Sequence, residues 1–419
     1  MTMAQKILAR ASGRDSVKIG DLVWVDVDLA MVHDSSGPRR IAGDMERLGT
    51  GLWDPDKVTV ISDHFVAGND VTESTIQKLT REWVARHGVK KFHEREGICH
   101  IVPGEYGYVR PGMLMMGGDS HSNTHGVFGA MAVAMGSTDM LGVLCTGRTW
   151  LKVPETVRIN WHGKLGRGVM AKDMMLHTIG NMGGDVATYM AVEFGGEAVY
   201  ALPFDERIVL PNMTTEMGAK AGMIEPDELI FVHLERLGVP RDSYQPVYAD
   251  PDAPYVRVEN FDAGALTPLV ALPGKPDNLA RVEDAAGTKI DQAYIGACTG
   301  AKYHDLAIAA QVLKGRRVAH GTRLMIAPAS VKALKRATGD GTLEILLDAG
   351  ATLLPSSCGA CAGLGGGVLA PGERCISSTN RNFPGRMGDL SAEVYLGSPA
   401  TVAASAIEGR IADPRPYLS

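Results

Sequence analysis

Three cysteines, Cys298, Cys358 and Cys361, stand in turns rich in small residues late in the chain, and no fourth cysteine in a comparable setting joins them. Cys298 follows the apolar run Ala293-Tyr294-Ile295 inside Gly296-Ala297-Cys298-Thr299-Gly300, and the other two form a Cys-x-x-Cys between Pro355 and Gly363. Iron–sulfur clusters are held by thiolates, and a four-iron cluster ordinarily takes four. Three would leave one iron without a protein ligand, an open Lewis-acid site for a substrate hydroxyl or carboxylate. Two other chemistries use the same residues: a redox dithiol, and a zinc site of three thiolates and one histidine. A redox dithiol is expected to open a helix after a strand, whereas this pair lies between Gly-rich turns. Cys99, Cys145 and Cys375 have apolar or small neighbours and read as buried thiols, with Cys99 set apart by adjoining His100.

A second set of residues can move protons. Asp63-His64, Ile98-Cys99-His100 and Asp119-Ser120-His121 each come at or after an apolar run. A carboxylate beside a histidine orients the imidazole and supports its charged form, the arrangement of acid–base catalysts. A single such dipeptide is a weak signal; its repetition at successive strand ends is a stronger one. Glu216, in Asn212-Met213-Thr214-Thr215-Glu216, brings an acidic group into an apolar stretch, although it also suits an exposed helix start. Arg381 and Arg386 lie five apart in Asn380-Arg381-Asn382-Phe383-Pro384-Gly385-Arg386. Guanidinium groups clamp carboxylates bidentately, and they also make interdomain salt bridges.

These residues need a scaffold, and 419 residues are enough for two or three domains with ample core. Hydrophobic content of 45% and charged content of 21% are ordinary for a globular protein. Six irregularly spaced cysteines do not make a secreted disulfide framework, so a cytoplasmic location is expected. The N-terminus lacks the apolar stretch of a signal peptide. The most apolar window, Gly126 to Cys145, carries Ser137, Thr138 and Asp139 and reads as a buried helix, so no membrane partner is expected. A net charge of −6 argues against nucleic acid as a partner. Strand-like runs at Leu22–Asp28, Val58–Asp63, Met113–Gly117, Gln292–Ile295, Arg323–Ile326 and Ala351–Leu354 alternate with helical spacing at Thr75–His87, Lys302–Lys314 and Ser330–Ala337. This alternation predicts parallel-sheet α/β domains, whose functional groups collect at the C-terminal strand ends. Domains are expected over 1–155, 156–274 and 275–419, the last carrying the cluster cysteines.

In chain order, Asp63-His64, Gly118-Asp119-Ser120-His121, Asn-Met-x-x-Glu, Gly-x-Cys-Thr, Cys-Gly-x-Cys and Asn-Arg-Asn-Phe-x-Gly-Arg together resemble the aconitase superfamily, over about Lys6 to Ser405. Length and start point are similar to large subunits of the isopropylmalate dehydratase type. The resemblance implies an α/β fold, a three-domain aconitase-like body around a [4Fe-4S] cluster and lacking the swivel domain. It further implies a hydro-lyase acting on a hydroxy di- or tricarboxylate. Carried over by motif, Cys298, Cys358 and Cys361 would be the cluster ligands. His33, Asp63, His64, His100, Asp119, His121, Glu216 and Arg386 would be catalytic, and Ser120, Asn380 and Arg381 would bind substrate.

The family's proton-abstracting base is a serine on a small swivel-domain subunit, so such a subunit is the expected partner and this chain alone would be half an enzyme. Departures occur round the cluster ligands. Gly-Ala-Cys-Thr-Gly stands where relatives commonly read Gly-Ser-Cys-Thr-Asn, and Ser356-Ser357-Cys358 where they read Pro-Gly-Cys. Paralogous hydratases of homocitrate, dimethylmalate, maleate or citraconate type therefore stand beside the leucine-pathway reading. A cluster-free RNA-binding regulator is the alternative from another class, disfavoured by the acidic charge and the histidine–carboxylate set.

Overall fold

The computed structural model describes residues 1–418, arranged round three mainly parallel sheets. The first has the strand order Lys91–Glu94, Val58–Ser62, Leu29–His33, Leu114–Gly117, Met131–Ala134, every pair parallel. Its central strands are buried on both faces, so they read as continuous apolar runs without alternation. The pleat still sorts their side chains: Leu29 and Met31 enter one hydrophobic core, Ala30 and Val32 the other. Leu22–Asp26 pairs instead with Arg148–Lys152 in a separate antiparallel ribbon, where exposure alternates and Leu22, Trp24 and Trp150 face outward.

The second sheet runs Ala221–Ile224, Ala191–Gly195, Thr156–His162, Arg257–Asp262, again all parallel. The third holds five parallel strands, Glu393–Gly397, Arg374–Ser377, Gln292–Ile295, Arg323–Ile326 and Ala351–Leu353. An antiparallel hairpin, Leu269–Ala271 with Leu279–Arg281, extends its Glu393 edge. One continuous core takes Met31 and Ile61 from the first sheet, Val192 and Phe194 from the second, and Ala293 and Ile295 from the third. That shared apolar centre fixes the sheets against each other, with their polar loop ends meeting beside it.

Two expectations from sequence change here. The helix Val71–His87 begins four residues before Thr75, because the Asp70 carboxylate accepts the Glu73 N–H at 2.8 Å and caps it. Gly88, at φ 67°, ends it as the sequence indicates. The window Gly126 to Cys145 is not one buried helix. It closes a 3-10 turn at Phe128, forms the strand Met131–Ala134, and then the helix Ser137–Thr146. Gly129 at φ 71° turns the chain into that strand, a conformation that favours glycine. Among the described residues no helix is long and apolar enough to cross a membrane.

Candidate active site

Strand ends of the first sheet supply the histidine–carboxylate groups. Leu29–His33 delivers His33-Asp34, and its neighbour Val58–Ser62 delivers Asp63-His64. The ligand atoms of these four residues all lie within 4.8 Å of one another. Asp63 is fully buried; one oxygen takes His64 Nδ1 at 2.7 Å and the other accepts the Cys99 N–H at 2.7 Å. Burial opposes its charge, yet the pairing with His64 holds its pKa below the ordinary carboxylate range. Asp34 accepts the backbone N–H groups of His64 and Phe65, both at 3.1 Å, and so fixes the loop that carries His64. The His33 and His64 rings stack with centroids 4.0 Å apart.

Asp119 links several groups. It caps the 3-10 turn Ser120–Phe128 that follows the strand Leu114–Gly117. Its Oδ1 meets His100 Nε2 at 2.7 Å and the His121 N–H at 3.0 Å, while Oδ2 lies 3.4 Å from His33 Nε2. Burial works against the charge, but His100 and His33 hold this carboxyl well below its usual range. His33 is pulled two ways. Against burial, Asp119 and Asp34 lift its pKa to about 10, whereas the Ser35 N–H pointing at Nδ1 from 3.2 Å favours a neutral ring. With Nδ1 facing the Ser35 N–H, Nε2 is the ring nitrogen turned toward Asp119.

The second sheet's loops add a third couple. Glu216 Oε1 receives His121 Nε2 at 2.8 Å and Arg381 Nε at 2.8 Å. Burial lowers the His121 pKa despite Glu216, with the Arg381 charge adding to the effect. Glu216 itself is held low against burial by His121 and Arg381. Arg381 also donates from Nη1 to Ser120 Oγ at 3.1 Å, which leaves part of its fork free. Arg386 makes no ion pair among the described residues, and its buried Nε has no partner.

The third sheet brings the cysteines. Cys298 follows the strand Gln292–Ile295 after Ala297, which has the positive φ of 67°. A Cβ at Gly300 would lie 2.1 Å from Ser378 Oγ, so the asparagine common here in relatives has no room in this chain. Cys358 and Cys361 flank Gly359 and Ala360 in a 3-10 turn, and the Cys358 N–H donates to Asp63 O at 3.0 Å. That bond ties the cysteine turn to a histidine-bearing strand end of the first sheet. Asn212 Nδ2 donates to Cys298 Sγ at 3.1 Å, and Asn380 Nδ2 reaches the same sulfur at 3.5 Å. Burial and the nearby Cys361 push the Cys298 thiol up to about 11 despite these amides. Burial, Asp63, Cys361, Asp119 and Cys298 together raise Cys358 well above a free thiol. All six cysteines are unbridged.

The contacts above join the residues singled out in the sequence except Arg386, whose buried Nε has no partner among the described residues. Cys99 is buried, its sulfur 3.6 Å from His100 Nε2 and its N–H serving Asp63. Two residues of the site were not singled out in the sequence. Asp34 was detectable, since His33-Asp34 mirrors Asp63-His64 at the end of a neighbouring strand. Asn212 was visible only as part of the motif around Glu216, with nothing local to aim its amide at a cysteine 86 residues away.

The aconitase family model (aconitate hydratase) matches residues 5–287 and 281–409. A 3-isopropylmalate dehydratase large subunit of Methanopyrus kandleri is 48% identical over 419 residues, covering 100% of this chain and 99% of the relative. A probable methanogen homoaconitase large subunit of Methanosarcina mazei is 46% identical, covering 93% of this chain and 99% of that one. The 3-isopropylmalate dehydratase large subunit of Aquifex aeolicus is 43% identical over 99% of this chain and 97% of its own length. Among solved structures, holo aconitase X of Thermococcus kodakaraensis shares the fold, with a TM-score of 0.53 and 16% identity over 93% of each chain. With matches across almost its whole length, the chain belongs to the aconitase family.

Proposed function

We propose that this chain is the cluster-binding large subunit of a two-subunit hydro-lyase of the 3-isopropylmalate dehydratase type, holding a [4Fe-4S] cluster on Cys298, Cys358 and Cys361. The observation that carries the reading is the junction itself, where three unbridged cysteines, two of them buried, meet three histidine–carboxylate couples. The cysteines fit such a group on their own chemistry. The Cys298 and Cys358 thiols are pushed toward the protonated state, a cost that a cationic partner offsets. Sulfurs round one zinc ion sit about 3.8 Å apart, from Zn–S bonds of about 2.3 Å in a tetrahedron. The groups closed to within 4.8 Å are the histidine–carboxylate sets, and the three cysteines are not among them. When bound, the cluster would supply a Lewis acid at the iron lacking a thiolate, suited to a poor leaving group such as hydroxide.

The chain's own residues would do the rest. His100, held through Nε2 by Asp119, and His64, held through Nδ1 by Asp63, are fixed in orientation and able to pass a proton to a departing hydroxyl. Arg386 and the free part of Arg381 would neutralise substrate carboxylates and the charge that develops beside them. Asn380 and Asn212 would hold Cys298 in place. The relatives' names carry the words large subunit, which supports a partner subunit supplying the base for carbon acid chemistry. The reading takes the chain as three units, 1–155, 156–274 and 275–419, meeting at the cluster, in the cytoplasm.

The experiment combines anaerobically reconstituted chain with a small swivel-domain subunit and follows the ultraviolet absorbance of conjugated alkene acids. Turnover of isopropylmalate by the mixture and not by either part supports the proposal. Robust turnover by this chain alone contradicts it. The Methanosarcina mazei relative favours a second reading, a homoaconitase-type large subunit, and homocitrate in the same assay decides between them.

A further inference from the structure

Lys172, in the first turn of the helix Ala171–Met182, is 1% exposed. Its Nζ donates to Thr299 Oγ1 at 2.9 Å and to Thr379 O at 2.8 Å. These acceptors adjoin Cys298 and Asn380, and both are neutral. Lys172 makes no ion pair among the described residues. The nearby buried lysine shows the usual solution: Lys302 donates to Asp305 Oδ2 at 2.6 Å and also reaches Cys298 O at 3.2 Å. Asp173, next to Lys172 in sequence, spends its carboxylate on the N–H groups of Met170 and Leu269. An ammonium buried without a counter-ion is costly, and a protein keeps one where an anion is to be met. Burial and Lys302 drive the Lys172 pKa down to about 7, while Cys298, Cys361 and Asp305 act to raise it.

We infer that Lys172 is the counter-charge of the iron–sulfur cluster, a positioning residue that balances the thiolate-bound anion from within the core. The inference rests on the cluster reading above and adds to it. Three thiolates outweigh the positive charge of a four-iron core, and one-electron reduction adds a further negative charge. A fixed cation nearby therefore favours assembly and favours the reduced form still more, raising the potential. In the cluster-free protein the same cation has no anion, so deleting it relieves a cost.

The test uses full-length wild type, Lys172→Met and Lys172→Gln, each reconstituted anaerobically and also prepared cluster-free. Iron and sulfide content, the reduction potential, the rate of cluster loss to a chelator, and urea midpoints of the cluster-free forms are measured. Both variants should show a lower potential and roughly tenfold faster loss, with cluster-free midpoints equal to wild type or higher. Unchanged potential and loss rate in variants with full clusters would overturn the assignment. A cluster-free Lys172→Met that unfolds earlier, or fails to fold, would do so too, by making the lysine a structural donor. Wild type that takes up no sulfide would overturn the cluster reading itself and this inference with it.

Discussion

The two halves of the junction are built on opposite terms. At the strand ends of the first sheet, Asp63, Asp119 and Asp34 spend their oxygens on imidazoles and backbone N–H groups, so these carboxylates are satisfied within the protein, while His33 Nε2 and His100 Nδ1 have no hydrogen-bond partner among the described residues. At the turns of the third sheet, the Cys298 and Cys358 thiols are pushed toward the protonated form, amides point at Cys298 sulfur, and Lys172 lies near them with no ion pair among the described residues. A buried polar network that is satisfied rigidifies its surroundings, whereas one left incomplete marks where something else binds. The histidine half orients protons. The cysteine half is shaped for a charged guest.

The largest expected effects come from the cysteine half. Cys298→Ser, Cys358→Ser or Cys361→Ser should each abolish iron and sulfide uptake and all turnover of the two-subunit mixture. Cys145→Ser, on the helix Ser137–Thr146 with Thr50 as its hydrogen-bond partner, should leave both unchanged. In the histidine half, Asp119→Asn removes the carboxylate charge shared by His100, His33 and the His121 N–H. Turnover should fall by about 10²–10⁴-fold while cluster content holds. Loss of the cluster in that variant would mean that the halves are not separable.

Charge without proton transfer comes next. Arg381→Lys keeps the cation but loses the planar fork that bridges Glu216 and Ser120, and kcat/KM should drop about a hundredfold with iron content intact. Unchanged turnover would make Arg381 a brace for Glu216 alone. The smallest effect is on stability. Asp119, Asp63 and Glu216 have pKa values lowered by folding, so their contribution is present above the unfolded carboxylate value and is lost as pH falls through the lower folded one. Urea midpoints of cluster-free protein should therefore decline below about pH 4. Asp119→Asn should flatten that decline, and an identical slope in the variant would remove Asp119 from the ion-paired set.

How much was legible in the sequence follows the same division. Asp63-His64 and Asp119-Ser120-His121 announce themselves because an apolar run and its polar end are adjacent in the chain. The strand Leu29–His33 does not, since it is buried on both faces and merges with the preceding Leu22–Asp28 run; His33 entered through family resemblance, and Asp34 was passed over. The Gly126 to Cys145 window misled because short buried strands and helices share one apolar pattern, and only Gly129 and Gly136 mark the breaks. Cysteine spacing raised the cluster as one of three chemistries, and family resemblance selected it. The supporting shell of Asn212 and Lys172 was not legible, because each acts on a residue far along the chain and no local pattern records which way a buried side chain points.

The central claim is that this chain holds a four-iron cluster on three cysteines. Iron, zinc and acid-labile sulfide are to be counted in wild-type protein purified and reconstituted without oxygen. The account predicts brown protein with about four irons and four sulfides per chain. Stoichiometric zinc with no sulfide would contradict it.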